Sequence, residues 1–123
     1  MDKTMDKTAV LDLSEALSRA DGDQDLLLTL ARLFLQESPK VAAAVRAALG
    51  RQDGDGLAAV AHKLKGSVMV ICAPRLFESA KRLEELGRQG EFAEASLVCA
   101  NVETRLAEVH AALQELIAGG FPS

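Results

Sequence analysis

The sequence predicts an all-α fold: an antiparallel up-and-down four-helix bundle with a short extra helix at its N-terminus. Three observations point there. Apolar residues recur at steps of three and four over long stretches, the spacing that gathers them on one face of a helix. Aromatic residues make up only 3% of the chain, with no Trp or Tyr, so the core must be built from Leu, Val, Ile and Ala, and an all-β sandwich is disfavoured. Chain-breaking residues cluster at Asp21-Gly22-Asp23, Gly50 to Gly56, Pro74, Gly87 to Gly90 and Gly119-Gly120, leaving room for five helices. With 123 residues the chain fits one domain large enough to bury a core.

Residues 1–9, which contain a tandem MDKT too short to fold alone, are expected to form a flexible N-terminal tail. Residues 10–118 form the expected domain and 119–123 a flexible C-terminal tail. The first helix, about 13–20, takes Asp12 or Ser14 as N-cap and places Leu13, Ala16 and Leu17 on one stripe. The second, about 25–49, carries Leu26, Leu30, Leu33, Phe34, Val41, Val45 and Leu49. Pro39 lies inside it, without a backbone donor and crowding the carbonyl of Leu35, so a kink or a restart is expected near Ser38, the kink being favoured. The third, about 55–72, turns Leu57, Val60, Ala61, Leu64, Val68 and Ile71 inward. Pro74 suits the first turn of a fourth helix, about 74–88, with Leu76, Ala80, Leu83 and Leu86 as its stripe. So short a link forces helices three and four into an antiparallel hairpin. The last helix, about 91–118, repeats Val98, Val102, Leu106, Val109, Leu113 and Leu116.

Composition narrows the function classes. The net charge is -4 and no Lys/Arg block long enough to track a phosphate backbone occurs, which argues against nucleic acid. No apolar h-region follows the N-terminus and no 18-residue apolar stretch occurs later, so a cytoplasmic protein away from the membrane is expected. Cys72 and Cys99 lie in apolar helical patterns and read as free buried thiols. Asp21-Gly-Asp23-Gln-Asp25 has calcium-loop spacing at its start, but Leu26 and Arg32 occupy the turn-glycine and bidentate-glutamate positions, so it reads as a capping loop. Asp53-Gly-Asp55-Gly56 reads as a turn and N-cap. His62, Cys72, Cys99 and His110 share no zinc spacing, no Gly-rich phosphate loop follows a strand, and His110 reads as a boundary or solvated residue.

The unusual local feature is AHKLKGS, residues 61–67. With Ala61 and Leu64 inward, His62 faces water. Its neighbours at three and four residues are Ala58, Ala59, Lys65 and Gly66. A glycine inside a helix costs about 1 kcal/mol against alanine, so Gly66 breaks a local rule, and such breaks mark functional sites. Small residues around an imidazole let another surface approach it, and Lys65 adds positive charge, an arrangement suited to a nucleophile for a phosphoryl group. The alternative is an ordinary solvated histidine on a helix that packs closely through Gly66. In a hairpin turning at Ala73, the residue eleven before the turn lies level with the one eleven after it; these are His62 and Glu84. A carboxylate there can accept the Nδ1 proton and leave Nε2 free, unless Glu84 and Glu85 are simply solvated. Met69, two turns from His62 on nearly the same face, reads as an exposed docking contact or as boundary packing.

AHKLKGS, the long helix before it and RLFESAKRLEELGRQGEF after it resemble a histidine-containing phosphotransfer domain, the HPt module of multistep phosphorelays. The resemblance covers about residues 10–118. The family pattern of histidine, spacer, apolar residue, Lys, Gly and Ser/Ala is met by His62, Leu64, Lys65, Gly66 and Ser67, and Leu33 to Pro39 resembles the family's second helix. The resemblance implies that His62 is phosphorylated on a ring nitrogen, that Lys65 lies near the phosphoryl group, that Gly66 gives access, and that Glu84 stands for a polar partner on the next helix. It implies a phosphocarrier, not an enzyme with a complete active site, working between a sensor or hybrid histidine kinase and a response-regulator receiver domain. No cofactor of its own is implied; magnesium is expected on the receiver. A monomer is expected, and an initiating Met with a Gly-Gly-Phe-Pro-Ser ending is compatible with a free-standing protein. The alternative reading is a non-phosphorylated adaptor that binds receivers or kinases. Family members often have a small polar residue and then Gly after the motif, where this chain has Val70 and Cys72, a departure that bears on the turn after the third helix and on partner choice.

Overall fold

The structure, a computed structural model, describes residues 9–121. Its elements are α1 (Leu13–Arg19), α2 (Gln24–Gly50), α3 (Gly54–Ile71), α4 (Pro74–Gln89) and α5 (Phe92–Gly119), with no strand among the described residues. Each boundary lies within a residue or so of the sequence expectation. Aspartates start three of the helices: Asp12, Asp23 and Asp53 accept hydrogen bonds from the backbone N–H groups of Glu15, Leu26 and Gly56 at 3.1, 3.0 and 2.9 Å, satisfying donors that a helix start leaves open. Pro74 occupies the first turn of α4, where its missing N–H has no helical partner to lose. Helix α2 runs through Pro39 without restarting.

Helix α2 packs on α3 and α5, and α4 packs on the same two helices, so the four long helices close a ring around one core. That core includes Leu57, Leu64, Val68, Leu76, Leu83 and Leu113. Helix α1 lies at the C-terminal end of α3: the Asp12 N–H donates to the Cys72 carbonyl at 2.8 Å, and Arg19 Nη1 to that of Met69 at 3.1 Å. A second small cluster, Ala16, Ala20, Leu27 and Cys72, seals this end, with half-buried Phe121 packed against it. The expected C-terminal tail therefore includes a packing residue, whereas residues 1–8 of the expected N-terminal tail lie outside the described residues. No described helix is long and apolar enough to cross a membrane.

The α2 stripe departs from expectation. Leu27, Ala31, Phe34, Ser38, Val41, Val45 and Ala48 face inward, while Leu26 and Leu33 are 44% and 50% exposed. The leucine-rich run puts apolar side chains on several faces, so periodicity alone did not choose between adjacent stripes.

Helices α3 and α4 approach through glycine. A Cβ on Gly54 would stand 2.6 Å from the Gly87 carbonyl oxygen, and one on Gly87 would stand 2.9 Å from the backbone nitrogen of Ala58. Both distances are too short for real carbon atoms, so this seam requires glycine. Ala58, expected on the surface beside His62, is instead buried here: its small size serves the contact between helices. The close seam and the two-residue link of Cys72 and Ala73 together fix the register of α3 against α4. Cys72 takes the left-handed conformation (φ 55°), the C-terminal position that glycine fills with least strain.

Candidate functional site

His62 lies on the outer face of α3 with 67% of its side chain exposed. Its Nδ1 is 3.1 Å from Glu84 Oε2, so the register read from the hairpin brings the two level. Glu84 projects from α4 and is only 2% exposed. A carboxylate so far removed from water needs charged partners. Lys65 Nζ stands 2.8 Å from Oε1, and Arg88 Nη2 bonds to Oε2, the oxygen that also faces His62. Lys65 holds the Glu84 carboxyl below the usual carboxylate range, burial opposes this, and His62 adds to the lowering. Glu84 is thus an anion at neutral pH, an acceptor for the ring N–H.

In the neutral tautomer that donates Nδ1–H to Glu84, the lone pair lies on Nε2. Gly66 lies one turn on from the ring, and a Cβ built there meets nothing within 4 Å. Ala59 is exposed as well. Ser67 is exposed and bonds within its own helix, Oγ to the Lys63 carbonyl at 3.3 Å. Met69 is 46% exposed and Val70 44%. These two, with Leu26, Leu30 and Gly66, line a shallow groove beside α1.

The structure thus brings His62 and Lys65 together around Glu84, with Gly66, Ala59, Ser67 and Met69 on the exposed surface around them. Arg88 belongs to the cluster and sequence reasoning missed it; its position four residues after Glu84, the spacing of helical ion pairs, was the available signal. Lys65 is ion-paired with the carboxylate and is only about one quarter exposed.

His110 is built differently. It is half-buried, its Nε2 meets the Oγ of buried Ser38 at 2.5 Å, and Phe34 lies edge-on with ring centroids 6.1 Å apart. Burial pushes its pKa down. Cys72 and Cys99 are free and buried, and burial pushes both thiols up, away from the reactive thiolate. Among the described residues no group of three or more His, Cys, Asp and Glu side chains is placed to hold a metal ion.

Comparison with known proteins gives a concordant result. The family model of the Hpt domain matches residues 29–119, well over half of the chain. Histidine-containing phosphotransfer protein B from Pseudomonas aeruginosa PAO1 is similar in structure, with a TM-score of 0.84 and 26% sequence identity over 90% of this chain and 96% of that one. The HPT domain of an Hpt sensor hybrid histidine kinase from Shewanella shares the fold, with a TM-score of 0.79 and 18% identity over 89% of this chain and 94% of that one. No curated protein matches in sequence. On the strength of the family match, the chain belongs to the Hpt domain family.

Proposed function

We propose that this protein is a monomeric phosphocarrier of the cytoplasm that accepts a phosphoryl group on Nε2 of His62 and passes it to the aspartate of a response-regulator receiver domain. The donor is the aspartyl phosphate of another receiver or a phosphorylated histidine kinase. The observation that carries this reading is the exposed imidazole whose inner nitrogen faces a buried, charge-compensated carboxylate.

In the forward step the Nε2 lone pair attacks phosphorus in line with the acyl oxygen. The N–P bond forms, the P–O bond breaks, and the departing aspartate carboxylate keeps the electron pair. The Nδ1 proton stays on the ring, which becomes positively charged, and Glu84 Oε2 faces that charge. Onward transfer reverses the sequence with a new carboxylate as nucleophile. The proposal assigns to the receiver the magnesium ion that neutralises the moving group. Lys65 holds Glu84 through Oε1 and adds positive charge one turn along α3 from the ring. Gly66 and Ala59 leave room for the receiver's surface, and the apolar groove of Leu26, Leu30, Met69 and Val70 supplies contact area next to the reacting ring.

Incubation with a receiver carrying labelled aspartyl phosphate tests the reading. The expected product is an acid-labile, alkali-stable label on the wild type that is absent from His62→Gln and blocked in Gly66→Gln by the larger side chain. Absence of label with every receiver and kinase donor would contradict the carrier reading and favour the adaptor.

A further inference from the structure

The same oxygen of Glu84 faces both His62 Nδ1 and Arg88 Nη2, so one atom separates an imidazole from a guanidinium. The groups that meet this carboxylate are His62 and Lys65 from α3 and Arg88 from its own helix, among the described residues. A carboxylate beside a histidine favours the protonated ring, and a protonated ring has no lone pair with which to attack phosphorus. A carboxylate in this place has two opposed tendencies: it favours the useful tautomer, and it favours a second proton on the ring. Lys65 compensates the charge from Oε1, on the far side of the carboxyl group. Arg88 compensates it at Oε2, next to the ring.

We propose that Arg88 is a positioning residue for the transfer reaction: by sharing Glu84 Oε2 with His62 it offsets the pull of the carboxylate on a second ring proton, and so favours the form of the imidazole that can attack. This rests on the phosphocarrier reading of His62 for its consequence but not for its physical content. Arg88 is 64% exposed, so its replacement leaves the packing of α4 in place. A guanidinium held this close opposes a second positive charge on the ring, and solvent screening keeps the effect modest.

The test uses the full chain as Arg88→Gln and Arg88→Lys, with two readouts. In an NMR titration of the His62 ring, Arg88→Gln is expected to move the midpoint up by about half a pH unit, and Arg88→Lys, which keeps a cation, to stay near the wild type. With phosphoramidate as a small phosphoryl donor, which needs no docking surface, Arg88→Gln is expected to be phosphorylated about 2-fold more slowly than wild type at the pH of the wild-type midpoint and equally fast at a pH about 2 units above it, the ratio following the neutral fraction of the ring. A midpoint that is unmoved or lowered in Arg88→Gln would overturn the assignment, as would equal rates at both pH values. If no variant acquires phosphohistidine, the phosphocarrier reading fails while the titration still decides the role of Arg88.

Discussion

The two histidines of this chain sit in opposite surroundings. His62 projects from α3 into solvent, its inner nitrogen facing a buried carboxylate that two cations neutralise. His110 lies half-buried on α5 against Ser38 and Phe34, and no charged side chain contributes to the lowering of its pKa. In the proposed function the first is held for chemistry at its outer nitrogen. The second fills a gap between α2 and α5 and satisfies a buried hydroxyl. Exposure separates them, and so does the identity of the group that fixes each ring.

The largest effect expected from this contrast is in labelling. His62→Gln should lose all phosphoryl label in a receiver-transfer assay, with stability within about 0.5 kcal/mol of wild type because the ring is on the surface. His110→Gln, which can still bond Ser38, should keep the label. Equal loss in both would break the comparison. Next comes the orienting carboxylate. Glu84→Gln should slow transfer by about 10-fold to 100-fold, the range seen when a ligating histidine loses its orienting partner, as measured by single-turnover kinetics.

A smaller effect sharpens the difference between the two glycines that flank the site. Gly87→Ala forces a methyl against the backbone of Ala58 and should destabilise the fold by about 1–3 kcal/mol in denaturant unfolding. Gly66→Ala meets nothing and should stabilise by about 1 kcal/mol. The smallest effect is a pH slope. The folded pKa of His110 lies below its ordinary value, so the unfolded chain binds the proton more readily, and this contribution to stability is present above about pH 6.5 and declines as pH falls. His110→Gln should remove that part of the decline. Glu84, whose folded pKa is also lowered, contributes stability above the usual carboxylate range that is lost as pH falls through its folded value, and Glu84→Gln should flatten the profile there.

Much of this was legible in the sequence, for reasons that residues make plain. Aspartate caps and Pro74 set the helix starts, and a two-residue link made the level of His62 and Glu84 a matter of counting. The α2 stripe was not legible, because leucines at 26, 27, 28, 30, 33 and 35 populate most of the helix surface and the inward face belongs partly to Ala31, Ser38 and Ala48. Ala58 misled for a related reason. A small residue near a functional side chain can clear space for a partner or for the neighbouring helix, and only the Gly54–Gly87 seam, which joins residues distant in sequence, decides which. Arg88 escaped notice because its importance depends on Glu84 being buried, a property of tertiary packing.

The most direct test of the central claim is the position of the phosphoryl group on the ring. Two-dimensional proton–phosphorus NMR of the chain after incubation with a phosphorylated receiver should show a single phosphohistidine, on Nε2 of His62, with the Nδ1 proton retained. Phosphorus on Nδ1, or on any residue other than His62, would contradict the account.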